Sequence, residues 1–228
     1  MNDHLFHTAP KTVGVIAGRM LIYALLILMV LYFLLPFIVM VLTSLKTMAD
    51  IRTGNLISWP REFTLDAWKT AWGSACIAVE CNGIKVYFWN SVKIVVPAVI
   101  ISTLIGAANG YVFSKWKFWG SEVLFSLLLL GCFIPFQAIL LPMAQTLGKL
   151  GLSQSLAGLI LVHIIYGLAF TTLFFRNYYV TIPDELVKAA RIDGAGFFRI
   201  FWKILLPVST PIFVVSVIWQ TTQIWNDF

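Results

Sequence analysis

Apolar residues fall in five long runs along the chain, and polar segments separate these runs. A helix needs about 20 mostly apolar residues to cross a bilayer, and each run is close to that length. The pattern therefore predicts an all-α integral membrane protein with five spans. The spans are expected at about 20–42, 88–113, 123–144, 156–175 and 208–228.

Prolines and glycines inside these runs predict how the spans are shaped and packed. Pro36 lies in the first predicted span and Pro135 in the third, where each can kink its helix. Gly106 and Gly110 lie four residues apart in the second span, a spacing that lets two helices approach closely. Cys132 lies within the third run, so we interpret it as an inert packing residue.

The composition supports a membrane protein and weakens other classes. Hydrophobic residues make up 60% of the 228 residues and charged residues 11%, whereas soluble domains average about 25% charged residues. The formal net charge of +6 would suit a nucleic-acid-binding protein, but Lys and Arg lie mainly between the apolar runs. We therefore assign this charge to orientation in the membrane and expect no nucleic-acid partner.

The positions of Lys and Arg predict which loops face the cytoplasm, because short loops rich in these residues remain inside. Nine of them lie in the N-terminus, between the second and third spans, and between the fourth and fifth. Most basic residues of the opposite side lie in one long loop, where charge has less influence. The prediction is a cytoplasmic N-terminus at 1–19, a first span at 20–43, a periplasmic loop at 44–87 and a core of the remaining spans at 88–228.

The long outer loop carries two cysteines, Cys76 and Cys81. A disulfide can persist in an extracytoplasmic loop. Four residues separate the two cysteines, which permits closure without ensuring the geometry of the bond. The sequence alone therefore leaves a Cys76–Cys81 disulfide and two free thiols equally open.

The polar segment at about 176–206 is much longer than an ordinary connection between helices. Pro183 suits the first turn of a helix, and Gly194 suits a left-handed cap at its end. A second amphipathic helix is expected to follow. One narrow face of the first helix is predicted to contain Leu186, Ala189, Ala190 and Asp193. From these patterns alone, a protruding contact surface and a helix lying in the lipid headgroup layer are equally open.

Some common chemical motifs are missing from the sequence. It has no Gly-x-x-x-x-Gly-Lys-Ser/Thr motif, so we expect no ATP hydrolysis by this chain. It also lacks His-Glu-x-x-His and Gly-x-Ser-x-Gly, and so carries neither of these hydrolase signatures. We predict neither a catalytic residue nor a metal site, and no cofactor bound by the chain itself.

A spaced motif runs through the long polar segment. Lys188-Ala189-Ala190 is followed after three residues by Gly194, after nine more by Ile204, and after one more by Leu206-Pro207. This resembles the loop of binding-protein-dependent ABC importer permeases, whose pattern is Glu-Ala-Ala, three residues, Gly, nine residues, Ile, one residue, Leu-Pro. The wider string from Ile182 to Ala195 is similar to the carbohydrate-uptake branch of that family.

Three further strings are similar to the same branch: Thr43-Ser44-Leu45-Lys46, Ile134-Pro135-Phe136-Gln137 and Trp225-Asn226-Asp227-Phe228. The resemblance implies a type I ABC importer permease bundle that forms half of a sugar pathway in the bacterial inner membrane. It implies three partners: a second permease subunit, a cytoplasmic ATPase dimer that uses ATP, and a periplasmic sugar-binding protein. The sugar is not fixed, although the long outer loop with its cysteine pair is similar to glucose or mannose importers.

In this family the loop docks on the ATPase and couples its ATP-driven closure to the pore. The resemblance implies that the coupling residues are Glu185, Lys188, Ala189, Ala190, Arg191, Asp193, Gly194, Ile204, Leu206 and Pro207. One position departs from the family pattern, because Lys188 replaces the first Glu of the motif. Glu185, one turn earlier, is our candidate for the charge contact that Lys188 cannot make.

Five polar residues lie within the predicted spans: Asn109, Gln137, His163, Gln220 and Gln223. Polar groups at membrane depth usually face a bundle interior or a cavity. These side chains are therefore candidates for lining a sugar path, where hydroxyl groups need hydrogen-bond partners. Hydrogen bonds between helices are an equally open interpretation, and for His163 we favour a packing role over a ligand role.

The family bundle has six spans, whereas this pattern predicts five. We therefore expect a C-terminally truncated product that lacks the sixth span. A secondary transporter or channel is one alternative, but it would need inverted repeats or charges buried in the spans, and the sequence shows neither. A non-catalytic membrane scaffold is the other alternative, and it leaves the loop motif unexplained.

Overall fold

The computed structural model describes residues 13–77 and 79–227, and within these residues the regular secondary structure is helical apart from one isolated bridge. The first helices are α1 (Val13–Ser44), α2 (Met48–Thr53) and α3 (Asp66–Gly73). The next are α4 (Lys85–Lys115), α5 (Ser121–Phe133), α6 (Phe136–Lys149) and α7 (Leu156–Thr181). The last are α8 (Asp184–Ile192), α9 (Phe197–Ile200), α10 (Leu206–Val208) and α11 (Thr210–Trp225), with a π-helical stretch, Phe201–Leu205, joining α9 to α10.

The chain divides into two compact units, Met1–Lys85 and Val86–Phe228. This division lies close to the predicted border between the outer loop and the core at 87. The predicted cytoplasmic N-terminus, 1–19, lies largely outside the described residues. Helix α1 begins within that predicted segment and continues through Pro36, so the first helix is longer than the predicted span.

In the first unit, Lys46 organises the segment that follows α1. Its side chain is buried, and Nζ donates to the Asn55 carbonyl oxygen at 3.0 Å and to Ser58 Oγ at 3.1 Å. The Trp68 indole Nε1 donates to Ser44 Oγ at 3.1 Å, which ties α3 to the end of α1. Part of the predicted loop is therefore a folded segment.

The same unit contains the two cysteines of the predicted outer loop. The structure places a disulfide between Cys76 and Cys81. The Gly83 N–H donates to the Ala75 carbonyl oxygen at 3.0 Å, which closes the turn on the far side of the disulfide. The pair thus closes a small hairpin next to α3.

In the second unit, α4 and α7 approach closely at two glycines. A Cβ atom added to Gly106 would lie 2.5 Å from Thr171 Cβ, and one added to Gly110 would lie 2.6 Å from Phe175 Cβ. Neither distance can accommodate a methyl group. The spacing of the glycines therefore marks the line along which the two helices touch.

The main buried cluster of the second unit joins α4, α7, α8, α9 and the π-helical stretch. Its apolar members are Ala107, Tyr111, Phe175, Tyr179, Ile182, Val187, Ala190, Ile200, Phe201 and Leu205. Apolar side chains from the long polar segment thus pack against the ends of two long helices. Burial of this face fixes the segment to the bundle.

The third predicted span, 123–144, is not one helix. Helix α5 ends at Phe133, Ile134 is extended, and α6 begins at Phe136 with its axis bent by 103°. The residue before a proline disfavours the helical conformation. Ile134 and Pro135 therefore break the helix where a kink was predicted.

The fifth predicted span, 208–228, is also shorter in the structure. Helix α11 has 16 residues, or about 24 Å of length, and it bends by 79° from the helical stretch Phe197–Val208. Within the described residues, α1, α4 and α7 are long and apolar enough to cross a membrane, and counting each bent pair as one span gives up to five.

Candidate functional site

Helix α8 begins and ends at residues that suit these positions. Pro183 is its N-cap, and Asp184 lies in its first turn, where an acidic side chain complements the helix dipole. At the other end Gly194 has a left-handed φ of 78°. The Ala195 N–H donates to the Ala190 carbonyl oxygen at 2.9 Å. The helix therefore stops in a Schellman turn, which favours glycine at position 194.

One face of α8 packs against the bundle and the other is open. Val187 is 4% exposed and Ala190 is 7% exposed, and both belong to the buried cluster. Glu185, Lys188 and Ala189 are exposed. The prediction that Ala190 shares a contact face with Ala189 is wrong, because the Ala190 side chain packs inward. The open surface of α8 is therefore narrower than the motif suggests.

The last residue of α8 and the turn after it, residues 192–194, form an exposed tip. This tip presents an apolar side chain that the sequence prediction missed. Ile192 is 86% exposed, and Asp193 and Gly194, which follow it, are exposed too. One exposed apolar side chain is common on a protein surface, but Ile192 lies beside the turn at Gly194 and next to exposed motif residues, which makes this end of α8 a candidate contact surface. The signal was available in the sequence, since Ile192 lies three residues after Ala189 and falls on the same helix face.

The second half of the motif supports α8 from beneath. Leu205 is buried, and Ile204 and Leu206 are half-buried against the same cluster. Pro207 lies in α10 and is exposed. Ile204 and Leu206 therefore pack against the cluster that also contains Val187 and Ala190 of α8.

The first turn of α8 is paired with a lysine at the end of α4. Lys115 Nζ donates to Asp184 Oδ1 at 2.6 Å. This hydrogen bond, with the charge of the ammonium group, holds the pKa of the Asp184 carboxyl below its usual value. Asp184 therefore remains ionised at neutral pH and keeps the ion pair.

A cavity of about 470 Å³ lies between α6, α7 and α11 in the second unit. Polar side chains from all three helices face it. Of the five predicted pathway residues, those that line it are Gln137, His163, Gln220 and Gln223. The cavity also has aromatic walls from Phe136, Phe170 and Trp219. It therefore combines hydrogen-bonding groups with flat apolar faces, a combination typical of small-molecule sites.

Four further polar residues that the sequence prediction omitted also line this cavity: Tyr166, Thr222, Asn226 and Asp227. Asp227 Oδ2 lies 3.8 Å from His163 Nδ1, which brings the segment just after α11 beside the first half of α7. The family-like string Trp225–Phe228 was a signal for Asn226 and Asp227. Phe228, the last residue of that string, lies outside the described residues.

Two of the predicted pathway residues make hydrogen bonds between helices. Asn109 does not line the cavity, and its Nδ2 donates to Thr172 Oγ1 at 3.4 Å. Gln220 lines the cavity but is buried, and its Nε2 donates to Ser102 Oγ at 2.9 Å. Packing between α4, α7 and α11 therefore accounts for Asn109 and for part of the role of Gln220.

Comparison with known proteins places this arrangement in a family. Residues 98–228 match the family described as the binding-protein-dependent transport system inner membrane component. That range includes the cavity, α8 and most of α4. The chain belongs to this family. The predicted resemblance in the loop motif is thereby confirmed at the level of the family.

Two similar proteins match the chain over about half of its length and over nearly all of it. A probable ABC transporter permease protein of Pyrococcus horikoshii is 50% identical over 47% of this chain and 39% of its own length. The xylose/arabinose import permease protein of Haloferax volcanii is 31% identical over 98% of this chain and 76% of its own length. The matched part of the chain thus covers well under half of the first relative and about three quarters of the second.

A solved structure shows the same fold. A chain from the crystal structure of a bacterial ABC transporter involved in the import of the acidic polysaccharide alginate matches 96% of this chain and 74% of its own length. The TM-score is 0.77 and the sequences are 22% identical. The predicted ABC importer permease fold is therefore confirmed.

The two groups of predicted residues lie at separate places in this inner membrane component. Helix α7 contributes His163 to the cavity and ends at Thr181, just before α8. Eighteen residues of helix correspond to about 27 Å. Any communication between α8 and the cavity must therefore cross most of the length of a spanning helix.

Proposed function

We propose that this chain is the permease subunit of an ATP-driven sugar importer and forms half of its translocation pathway. It works with a second permease subunit, a cytoplasmic ATPase dimer and a periplasmic sugar-binding protein. ATP is used by the ATPase dimer, and this chain has no catalytic role of its own. It lies in the inner membrane with its N-terminus in the cytoplasm.

The exposed α8 tip is the observation that carries this proposal. Ala189, Ile192 and Asp193 are exposed beside the Schellman turn at Gly194, while Val187 and Ala190 anchor the helix to the bundle. A small, rigid and partly apolar projection can enter a cleft on a partner protein. Family membership and the spacing of the motif support an ATPase subunit as that partner.

The cavity supports a sugar as the substrate. Amide and hydroxyl groups such as those of Gln137, Gln223 and Thr222 can bond to sugar hydroxyls. The Trp219 ring beside them offers a flat face to the apolar side of a sugar ring. One relative is named for the import of xylose and arabinose, which agrees with this substrate class. A glucose or mannose importer stays a prediction.

Disrupting the tip tests the proposal. Asp193→Lys with Gly194→Pro should reverse a charge and break the turn, because proline cannot adopt a φ of 78°. Recovery of the ATPase with tagged permease should fall by at least about tenfold, equivalent to about 1.4 kcal/mol. Gly151→Pro is the matched control, since Gly151 has a φ of 69° in the turn between α6 and α7. Undiminished recovery with the tip variant would refute the proposal.

A further inference from the structure

The last turn of α4 holds the start of α8. Lys115 is the final residue of α4, and its side chain is 5% exposed. Besides Asp184 Oδ1 at 2.6 Å, its Nζ donates to the Ile182 carbonyl oxygen at 2.5 Å. Lys115 thus fixes both the residue that enters the turn before α8 and the first residue of α8.

The end of α4 and Trp116, the residue just after it, also hold the end of α8. The Arg191 guanidinium lies 4.3 Å from the centre of the Trp116 ring, and Arg191 Nη2 donates to the Lys115 carbonyl oxygen at 3.4 Å. A cation stacked on an indole ring adds a favourable electrostatic contact. Two consecutive residues, Lys115 and Trp116, therefore hold a nine-residue helix near both of its ends.

Helix α9, which follows α8, packs against the same end of α4 and against Trp116. The Trp116 ring meets the Phe197 ring edge to face at 5.4 Å, and the Tyr111 ring stacks on Phe197 at 4.7 Å. Tyr111 is fully buried and lies one turn before Lys115 on α4. Aromatic pairs with ring centres this close add a favourable contact beyond the apolar area that they bury.

Helix α4 is in turn locked to α7. Gly106 and Gly110 leave no space between the two helices, and Thr171 Oγ1 donates to the Ser102 carbonyl oxygen at 3.1 Å. Helix α7 also carries His163 to the cavity. Since close-packed helices transmit displacement, movement of α4 would reach the cavity through α7.

We propose that Lys115 and Trp116 form an anchor through which displacement of α8 moves α4, and through α4 the cavity wall. This inference rests on the proposed function, because it assumes that an ATPase subunit displaces α8. Lys115 acts here as a positioning residue. Its side chain is buried beneath α8, so it can influence a partner protein only through α8.

The test measures whether nucleotide binding to the ATPase still changes the cavity when the anchor is broken. Thr222 lies on the cavity wall and is exposed, so Thr222→Cys with Cys132→Ser reports on the cavity through its rate of thiol labelling. The intact importer complex is purified through a tag on this chain and labelled with and without ATP and orthovanadate. Lys115→Met is then compared with Lys117→Met in the same background. Lys117 pairs with Glu122 at 3.4 Å and is a neighbouring lysine outside the anchor.

The expected result is specific to the anchor. The ATPase should still be recovered with the Lys115→Met variant. Its nucleotide-dependent change in labelling rate should fall to less than half of the change in the parent complex. Lys117→Met should keep the full change, and Lys115→Arg should restore most of it. A full change in Lys115→Met would overturn the inference. If no ATPase is recovered with the parent chain, the proposed function itself fails, and this result differs from a failure of the anchor alone.

A second variant keeps the test decisive if Lys115→Met does not fold. Asp184→Asn breaks the same ion pair from its exposed partner, whose side chain is 63% exposed. It should reduce the nucleotide-dependent change in labelling while retaining the ATPase. A normal change in Asp184→Asn would contradict a role for the Lys115–Asp184 pair.

Discussion

At the residue scale, small side chains decide how closely the helices of the second unit approach. The spacing of Gly106 and Gly110 predicted a close contact, and the structure identifies Thr171 and Phe175 of α7 as the residues opposite. The sequence alone could not name these partners, because spacing reports on one helix only. The same limit explains the error at Ala190, whose burial depends on the bundle beneath α8.

Adding one methyl group at Gly110 should destabilise this contact. The new Cβ would lie 2.6 Å from Phe175 Cβ and 2.7 Å from the Arg176 backbone nitrogen, and the backbone cannot move aside easily. We expect Gly110→Ala to cost about 1–3 kcal/mol. The measurement is the temperature at which half of the detergent-solubilised protein is lost from the monodisperse peak.

Gly131→Ala is the matched control for that measurement. Gly131 lies in α5, and an added Cβ would meet nothing within 4 Å. Alanine is preferred to glycine in a helix by about 1 kcal/mol, so this variant should be unchanged or slightly more stable. Equal loss of stability in both variants would contradict close packing at Gly110.

At the element scale, apolar runs predicted where helices form, and prolines marked where a helix can bend but not which proline breaks it. Pro36 and Pro97 lie inside continuous helices, whereas Pro135 separates α5 from α6. A proline therefore permits either outcome, and the surrounding packing decides between them. At the Pro135 break, Phe136 begins α6 and its ring meets Tyr166 of α7 at 5.5 Å, a tertiary contact that no local pattern reveals.

The hairpin beside α3 gives a prediction about the outer segment. If Cys76 and Cys81 form a disulfide in the cell, as in the structure, the denatured, non-reduced protein should react with thiol reagent at Cys132 alone. Reduction should raise the count from one to three thiols per chain, and mass spectrometry of the labelled protein measures it. Three reactive thiols before reduction would show that the outer segment does not carry the bond.

At the scale of the whole molecule, the proposed function depends on which loops face the cytoplasm. The family and fold were predictable because the Lys188–Pro207 motif has fixed spacing. The number of spans was less predictable, since α5, α6 and α11 are too short to cross a bilayer alone. Orientation was predicted from the distribution of Lys and Arg, but it is a property of the protein in a membrane.

Thiol labelling in intact cells tests this orientation. Lys69→Cys and Lys188→Cys, each with Cys132→Ser, place a reporter in the outer segment and on α8. Both lysines are exposed, so each new cysteine should react wherever the reagent can reach it. A membrane-impermeant maleimide should label Lys69→Cys in intact cells, and Lys188→Cys only after permeabilisation. Labelling of Lys188→Cys in intact cells would place α8 outside, where no cytoplasmic ATPase could bind it.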